Sequence, residues 1–215
     1  TSFAIIIPTS IVSVLTHHKF NAVDFDIVKS YGIYVILGVI IGTIFAASLN
    51  TKSLILFFAV IIFFLGIYLL LLKEKEKNVI IKIRLHIKIL LGFIVGFISA
   101  PMGIGGAIMN VPILKFFGYS INKSIGSAAA IGFLIALFGA FGFLITGNYL
   151  KTNLPLSIGF LNIPAFLTFI PITMIMARFG AMAVHKINKK YISKLFGIFL
   201  LIVATRFVVE YFNIS

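Results

Sequence analysis

Not one of the 215 residues is cysteine. That excludes a disulfide framework, a thiolate-ligated zinc site and a thiol nucleophile. Tryptophan is absent as well, so any aromatic belt at a membrane surface must come from the 7 Tyr and 24 Phe. Charge is scarce: 11% of residues are charged, and 5 acids stand against 18 Lys and Arg. So few acids leave no cluster for general acid–base work, and no nucleophile–base pair is visible. P-loop, HExxH and GxSxG patterns are also missing. The chain therefore does not read as an enzyme, implies no cofactor or metal, and could use ATP only through a separate subunit.

What is abundant is apolar. Hydrophobic residues make up 61% of the chain, against about 45–50% in a soluble domain. Uncharged runs recur at Tyr31–Leu49, Ser53–Leu72, Ile89–Leu114, Ser124–Leu150 and Thr152–Ala177. Each is near or above the roughly 18 residues that mark a membrane-spanning helix. The fold class expected is an all-α polytopic membrane protein with about six to seven transmembrane helices, a single integral-membrane domain over 1–215. Spans are predicted at 1–16, 27–49, 52–72, 123–147, 153–178 and 191–212, with a broken segment at 88–118. Between them the linkers are short and polar, and Lys73–Lys77 reads as a solvated charged tip. The net charge of +13 would suggest nucleic acid in a soluble protein. Here the basic residues lie between spans, so they are read as topology signals and contacts to anionic lipid headgroups, with no nucleic-acid partner. A multi-pass protein of the cell (plasma or inner) membrane is expected; a homo-oligomer is left open. No charged leader precedes the first span. The chain opens inside an apolar run without an initiator Met, so a missing N-terminal segment is expected.

The broken segment carries the most information. Two apolar runs flank Ser99-Ala-Pro-Met-Gly-Ile-Gly-Gly106, which no continuous helix would choose. In lipid, irregular backbone is tolerated only where protein buries it or where it lines a wet cavity. Gly- and Pro-interrupted apolar segments are the best sequence pointer to a transporter's binding site. The plainer alternative is a Pro-kinked spanning helix with small residues for close packing.

Basic residues argue for a hairpin. If every segment crosses once, the two sides carry nearly equal numbers of Lys and Arg. If 88–118 turns back to its own side, loops 17–30, 73–88, 115–123 and 178–194 share fifteen of them, and only Lys52 and Lys151 lie opposite. As a helix, 88–99 would rise about 18 Å at roughly 1.5 Å per residue, short of the roughly 30 Å hydrocarbon core. Two repeats of opposite orientation are therefore expected, an incomplete first over 1–77 and a second over 86–212. Shifting 39–62 by 138 places Gly42 on Gly180, Asn50 on Asn188, Lys52 on Lys190 and Phe58 on Phe196.

A Gly-rich run ends in Val-Pro, Gly103-Ile-Gly-Gly-Ala-Ile-Met-Asn-Val-Pro112. Ahead of it come Thr1-Ser2, Pro8-Thr9-Ser10, His17, Lys19 and Val23-Asp24, and after it Gly126-Ser127 and Gly147-Asn148. In this order the motifs resemble those of the sulfite exporter TauE/SafE family of membrane transporters. The resemblance covers essentially the whole chain. Ala107 replaces a common third Gly, Asn21-Ala22 replaces Gly-Asn, and the first repeat's Gly-rich run is not in the chain. What the resemblance implies is export of sulfite, an organosulfonate or a related small anion. A non-transporting membrane assembly or interaction factor is the alternative.

Physical reading of the residues agrees in kind. A helix restarting near Gly106 would aim free N–H groups and a positive dipole end at the membrane centre, a natural anion site. Gly103, Gly105 and Gly106 permit close backbone approach. Asn110, about one turn in, supplies an amide, either to an anion or to another helix. Ser127 and its first-half counterparts Thr1, Ser2, Thr9 and Ser10 supply hydroxyls, either to an oxyanion or to a carbonyl of the preceding turn. Arg206 and Glu210 are placed to pair one turn apart near a span end. His17, His18, His86 and His185 are read as solvated at span ends.

Because the chain is cysteine-free, single Asn78→Cys and Ile121→Cys variants test the hairpin. In sealed, oriented membranes an impermeant maleimide should label both from one side; labelling from opposite sides would rule the hairpin out.

Overall fold

A computed structural model describes residues 1–71, 83–149, 155–186 and 189–213. The charged tip Lys73–Lys77, Asn78 and Lys151 lie outside the described residues. In chain order the elements are α1 (Ser2–Lys19), α2 (Phe25–Ser48), α3 (Thr51–Leu71), α4 (Leu85–Met102), α5 (Ala107–Phe116), α6 (Ile121–Tyr149), β1 (Ser157–Ile158), β2 (Leu161–Asn162), α7 (Ile163–Val184) and α8 (Lys189–Asn213). Among the described residues, α2, α4, α6 and α7 are long and apolar enough to cross a membrane, and α3 contains a shorter apolar helix. The chain is an all-α polytopic membrane protein. Its expected helices are all present, but one boundary moves. Where a span was predicted over 153–178, residues 157–162 form a two-strand antiparallel hairpin and α7 begins at Ile163. Gly159 makes the turn at φ +55°, and the Asn162 side chain caps α7 by accepting from the Ala165 N–H at 3.0 Å. An N-cap amide and Pro164 in the first turn are strong start signals.

Two compact units form, Thr1–Ala47 with Lys77–His185, and Ser48–Glu76 with Lys186–Ser215. In the first, α2 and α4 meet backbone to backbone. A methyl on Gly96 would strike the Val35 carbonyl and stand 2.8 Å from the Val39 nitrogen. One on Gly38 would strike the Phe93 carbonyl, and one on Gly42 would stand 2.6 Å from the Phe97 carbonyl. The contacts advance together along both helices, so α2 and α4 run parallel. Helix α6 runs parallel to α2 as well: the Asp24 N–H reaches Ser127, Gly32 meets Leu134, and Thr43 meets Gly142. Helix α1 runs antiparallel to α6, with His17 beside Gly126 and Phe3 beside Gly139.

These directions fix the path of the broken segment. Helix α4 starts level with the start of α2, where Lys88 Nζ donates to Ser30 Oγ at 2.7 Å. Its break meets Gly132 of α6, and α5 then leads back to the first residue of α6. Both ends of the α4–α5 hairpin therefore lie at the end of the unit where α2 and α6 begin. Lys19, Lys29, Arg84, Lys88, Lys115 and Lys123 gather there too. The first arm of the hairpin is longer than the 88–99 helix expected: α4 is 18 residues long, about 27 Å at roughly 1.5 Å per residue. It is α5, 10 residues or about 15 Å, that cannot cross.

Helix α1 continues through Pro8 without interruption and lies along α7. Thr1 Oγ1 accepts from the Asn162 N–H at 2.8 Å, Thr9 Oγ1 lies 2.9 Å from Thr173 Oγ1, and His17 Nδ1 lies 3.2 Å from His185 Nε2. The last of these differs from the solvated histidines expected. His17, past the apolar stretch 1–16, is buried, and desolvation followed by the charge of His185 lowers its pKa to about 4. It is neutral at physiological pH, which lets one ring donate to the other. His18, by contrast, is exposed beside Phe25.

In the second unit α3 and α8 pack antiparallel. Gly66 faces Gly197 and Leu201, the Phe58 and Phe207 rings lie 5.9 Å apart, and Lys52 Nζ stands 5.2 Å from the Tyr211 ring centroid. Arg206 and Glu210 pair at 3.3 Å on one face of α8, both exposed.

Gly96→Val should reduce folded yield and melting temperature, since overpacking costs ~1–3 kcal/mol even in adaptable cores and the obstacle here is backbone. Gly180→Ala is the control: its methyl would meet nothing within 4 Å. Equal melting temperatures for the two variants would show that the seam is loose.

Candidate functional site

The break begins with a helix that closes on itself. At the end of α4 the Ile104 N–H reaches the Ser99 carbonyl at 3.4 Å and the Gly103 N–H reaches Ala100 at 3.2 Å. This is a Schellman ending, and Gly103 takes the left-handed φ of +61° that it requires. Gly105 then presses on α6, its carbonyl 2.6 Å from where a methyl on Gly132 would stand. At Gly106 the chain turns again, φ +64° and ψ 0°, and α5 begins. A side chain at Gly106 would be strained by conformation and blocked by Ile135.

No side chain caps α5. The first backbone bonds inside it are made by the Met109 and Asn110 N–H groups to the Gly106 carbonyl, at 3.2 and 2.9 Å. The N–H groups of Ala107 and Ile108 precede that first turn, outside the intrahelical ladder. They carry the positive end of the α5 dipole.

Two polar side chains converge on the same point. Asn110 is fully buried, and neither its Oδ1 nor its Nδ2 has a hydrogen-bond partner. Ser99 is also fully buried, with an unpartnered Oγ. A methyl on Gly106 would stand 3.1 Å from Ser99 Oγ and 3.2 Å from Asn110 Nδ2, so both atoms face Gly106. An unsatisfied buried polar group costs about 1–3 kcal/mol, and a pair of them beside an uncapped helix start is an arrangement suited to a ligand that supplies oxygen acceptors. Exposed Ala107 and Ser2 border it, and Ser2 Cβ lies within 3.5 Å of the methyl position on Gly103.

The residues expected from the sequence divide cleanly. Gly103, Gly105, Gly106, Asn110 and Ser2 come together at the break. The remaining hydroxyls are engaged elsewhere. Thr1 is held by the β1–β2 hairpin through Phe160 and Asn162. Thr9 Oγ1 is 2.8 Å from the Ile5 carbonyl and faces Thr173. Ser10 Oγ donates to the Ile7 carbonyl at 2.9 Å. Ser127 Oγ accepts from the Asp24 N–H at 2.9 Å, anchoring the α1–α2 connection to α6. Ser99 was not singled out as a site residue. Its signal was present: beyond His86 and Lys88 in the first turn it is the one polar residue of α4, four positions before the helix-ending glycine.

The sulfite exporter TauE/SafE family model matches residues 1–207. A protein of Haemophilus influenzae named "probable membrane transporter protein" is 29% identical over 204 residues, 95% of this chain and 77% of that relative. One of the same description from Methanocaldococcus jannaschii is 25% identical over 196 residues, 89% of this chain and 71% of the relative. No solved structure matches.

Replacing a buried, unpartnered polar group by an apolar one of similar shape should be neutral or stabilising. Asn110→Leu and Ser99→Ala should therefore leave the melting temperature in detergent unchanged or raise it. A fall of several degrees in both would mean that these groups hold the fold together.

Proposed function

The chain belongs to the sulfite exporter TauE/SafE family, and from that premise we propose that it exports a small sulfur-containing anion such as sulfite or an organosulfonate. The observation that carries this reading is the uncapped start of α5 with buried, unpartnered Asn110 and Ser99 facing Gly106. Amide, hydroxyl and backbone N–H donors at a helix N-terminus match the pyramidal oxygens of a sulfur oxyanion. Gly103 and Gly106 bring the backbone close enough to take part, and exposed Ser2 borders the way in. Binding without covalent chemistry suffices for transport, and no catalytic step is assigned.

The basic end of the first unit is placed in the cytoplasm, so the hairpin enters and leaves from that side of a plasma or inner membrane. A negative-inside potential drives a singly charged anion outward by about 2.3 kcal/mol per 100 mV, which makes a potential-driven facilitator sufficient for efflux. The two expected repeats of opposite orientation fit this scheme as the elements that would rock about the hairpin.

Flux is the test. Reconstituted in proteoliposomes, the full-length protein should release sulfite or a sulfonate faster under an imposed potential. Gly105→Leu, whose bulk would crowd Ile6 and Gly132, should abolish release in protein that still folds. No release of any sulfur oxyanion under either condition would favour a non-transporting assembly factor.

A further inference from the structure

Helices α1 and α7 meet in the same way as α6 and α2. Thr1 Oγ1 accepts from the Asn162 N–H at 2.8 Å, and the Asn162 side chain caps α7 by accepting from the Ala165 N–H at 3.0 Å. Ser127 Oγ accepts from the Asp24 N–H at 2.9 Å, and the Asp24 side chain caps α2 by accepting from the Ile27 N–H at 3.2 Å. Asp24 and Ile27 lie 138 positions before Asn162 and Ala165, the same shift that places Gly42 on Gly180 and Asn50 on Asn188. Both helix pairs run parallel, while α1 and α6 run antiparallel, so one pair is the other turned end over end. Apolar helices aligned by chance would not reproduce a bond from a capping residue's N–H to a hydroxyl on its neighbour.

The likeness stops on one face of α7. On α2, Tyr31 is 1% exposed, and Gly38 and Gly42 meet the backbone of α4. The same shift carries these three to Phe169, Met176 and Gly180. Phe169 is 53% exposed and Met176 59%, and a methyl on Gly180 would meet nothing within 4 Å. Within the most apolar stretch of each helix, 44% is buried in α2 and 6% in α7.

We propose that this face of α7 seats a helix like α4, the first arm of a second Gly-broken hairpin that precedes α1 in the full-length protein. The α4–α5 hairpin leads directly into α6, so its counterpart leads into α1. More of the Haemophilus influenzae relative lies outside the match than a hairpin the length of 85–116 requires. Helices in lipid associate where small residues let backbones approach, and Ala177 and Gly180 stand where α2 has Val39 and Gly42. Met176 replaces Gly38, so the seated helix is held further off than α4, which leaves room for a methyl at Gly180. Because α7 runs opposite to α2, the second hairpin enters from the side opposite to the first. The proposal does not depend on what is transported.

The test is photo-crosslinking of the full-length protein in membranes of the expressing cell. Met176→p-benzoylphenylalanine puts the probe in the middle of the face. Phe169→p-benzoylphenylalanine exchanges one aromatic ring for another about two turns earlier, and serves if the first variant folds poorly. Ile175→p-benzoylphenylalanine is the control, since Ile175 is exposed on the opposite face and is the counterpart of exposed Leu37. The expected result is an intramolecular adduct from both face positions, mapped by mass spectrometry to the segment ahead of Thr1 and several-fold more abundant than from the control. Adducts with lipid alone, with residues of 1–215, or with a second copy of the chain, seen as a dimer band, overturn the proposal. None of these results needs flux, so the transport reading stands or falls separately.

Discussion

Direct contact between glycine backbones is the interaction on which the rest depends. Gly38 and Gly42 on α2, with Gly92 and Gly96 on α4, bring two helices so close that main-chain carbonyls occupy the places where side chains would be. In a bilayer, where apolar side chains gain little by leaving lipid, close packing of small residues is the main source of helix association. The seam sets the depth and direction of α4. Gly132 repeats the device on α6, where it receives the Gly105 carbonyl. A hairpin with a broken tip is held on both sides by contacts that leave no room for adjustment.

That rigidity explains how unsatisfied groups persist. Lipid penalises unpaired backbone more severely than water does, and helices satisfy it internally. Gly103 closes the end of α4 with a Schellman turn, so the carbonyl side of the break is largely settled. The N–H side is not: α5 starts without a cap, and Asn110 and Ser99 face that start without partners. The imbalance on the backbone is one of donors, an electrostatic setting that favours an anion over a cation.

A second set of contacts ties α1 to α7 at the level of Thr1, Thr9 and His17. The hydroxyls and the His17–His185 pair spend their hydrogen bonds on each other and on nearby carbonyls. Residues that would read as ligands in isolation are structural ties here. The same holds for Ser127, whose hydroxyl is taken by the Asp24 backbone.

Composition and punctuation alone determined that the chain is a helical membrane protein, roughly where its helices lie, that a Gly-Pro break interrupts one of them, and that its basic residues favour a hairpin. Those features are local or additive: apolar run length, helix-ending glycine, counts of Lys and Arg. Only the tertiary structure decided which polar groups are free. Ser99 and Thr9 are both hydroxyls in apolar helices, and although Ser99 precedes a helix-ending glycine, nothing along the chain says which of the two finds a partner. One is buried without a partner and the other meets Thr173 across a helix pair. Likewise His17 and His185 lie 168 positions apart and form a pair that their sequence contexts do not announce. The physical reason is that membrane helices are apolar on lipid-facing and protein-facing sides alike, so periodicity does not reveal which face meets which neighbour. Hydrogen bonding between helices depends on that facing, and it is settled by how the backbones fit.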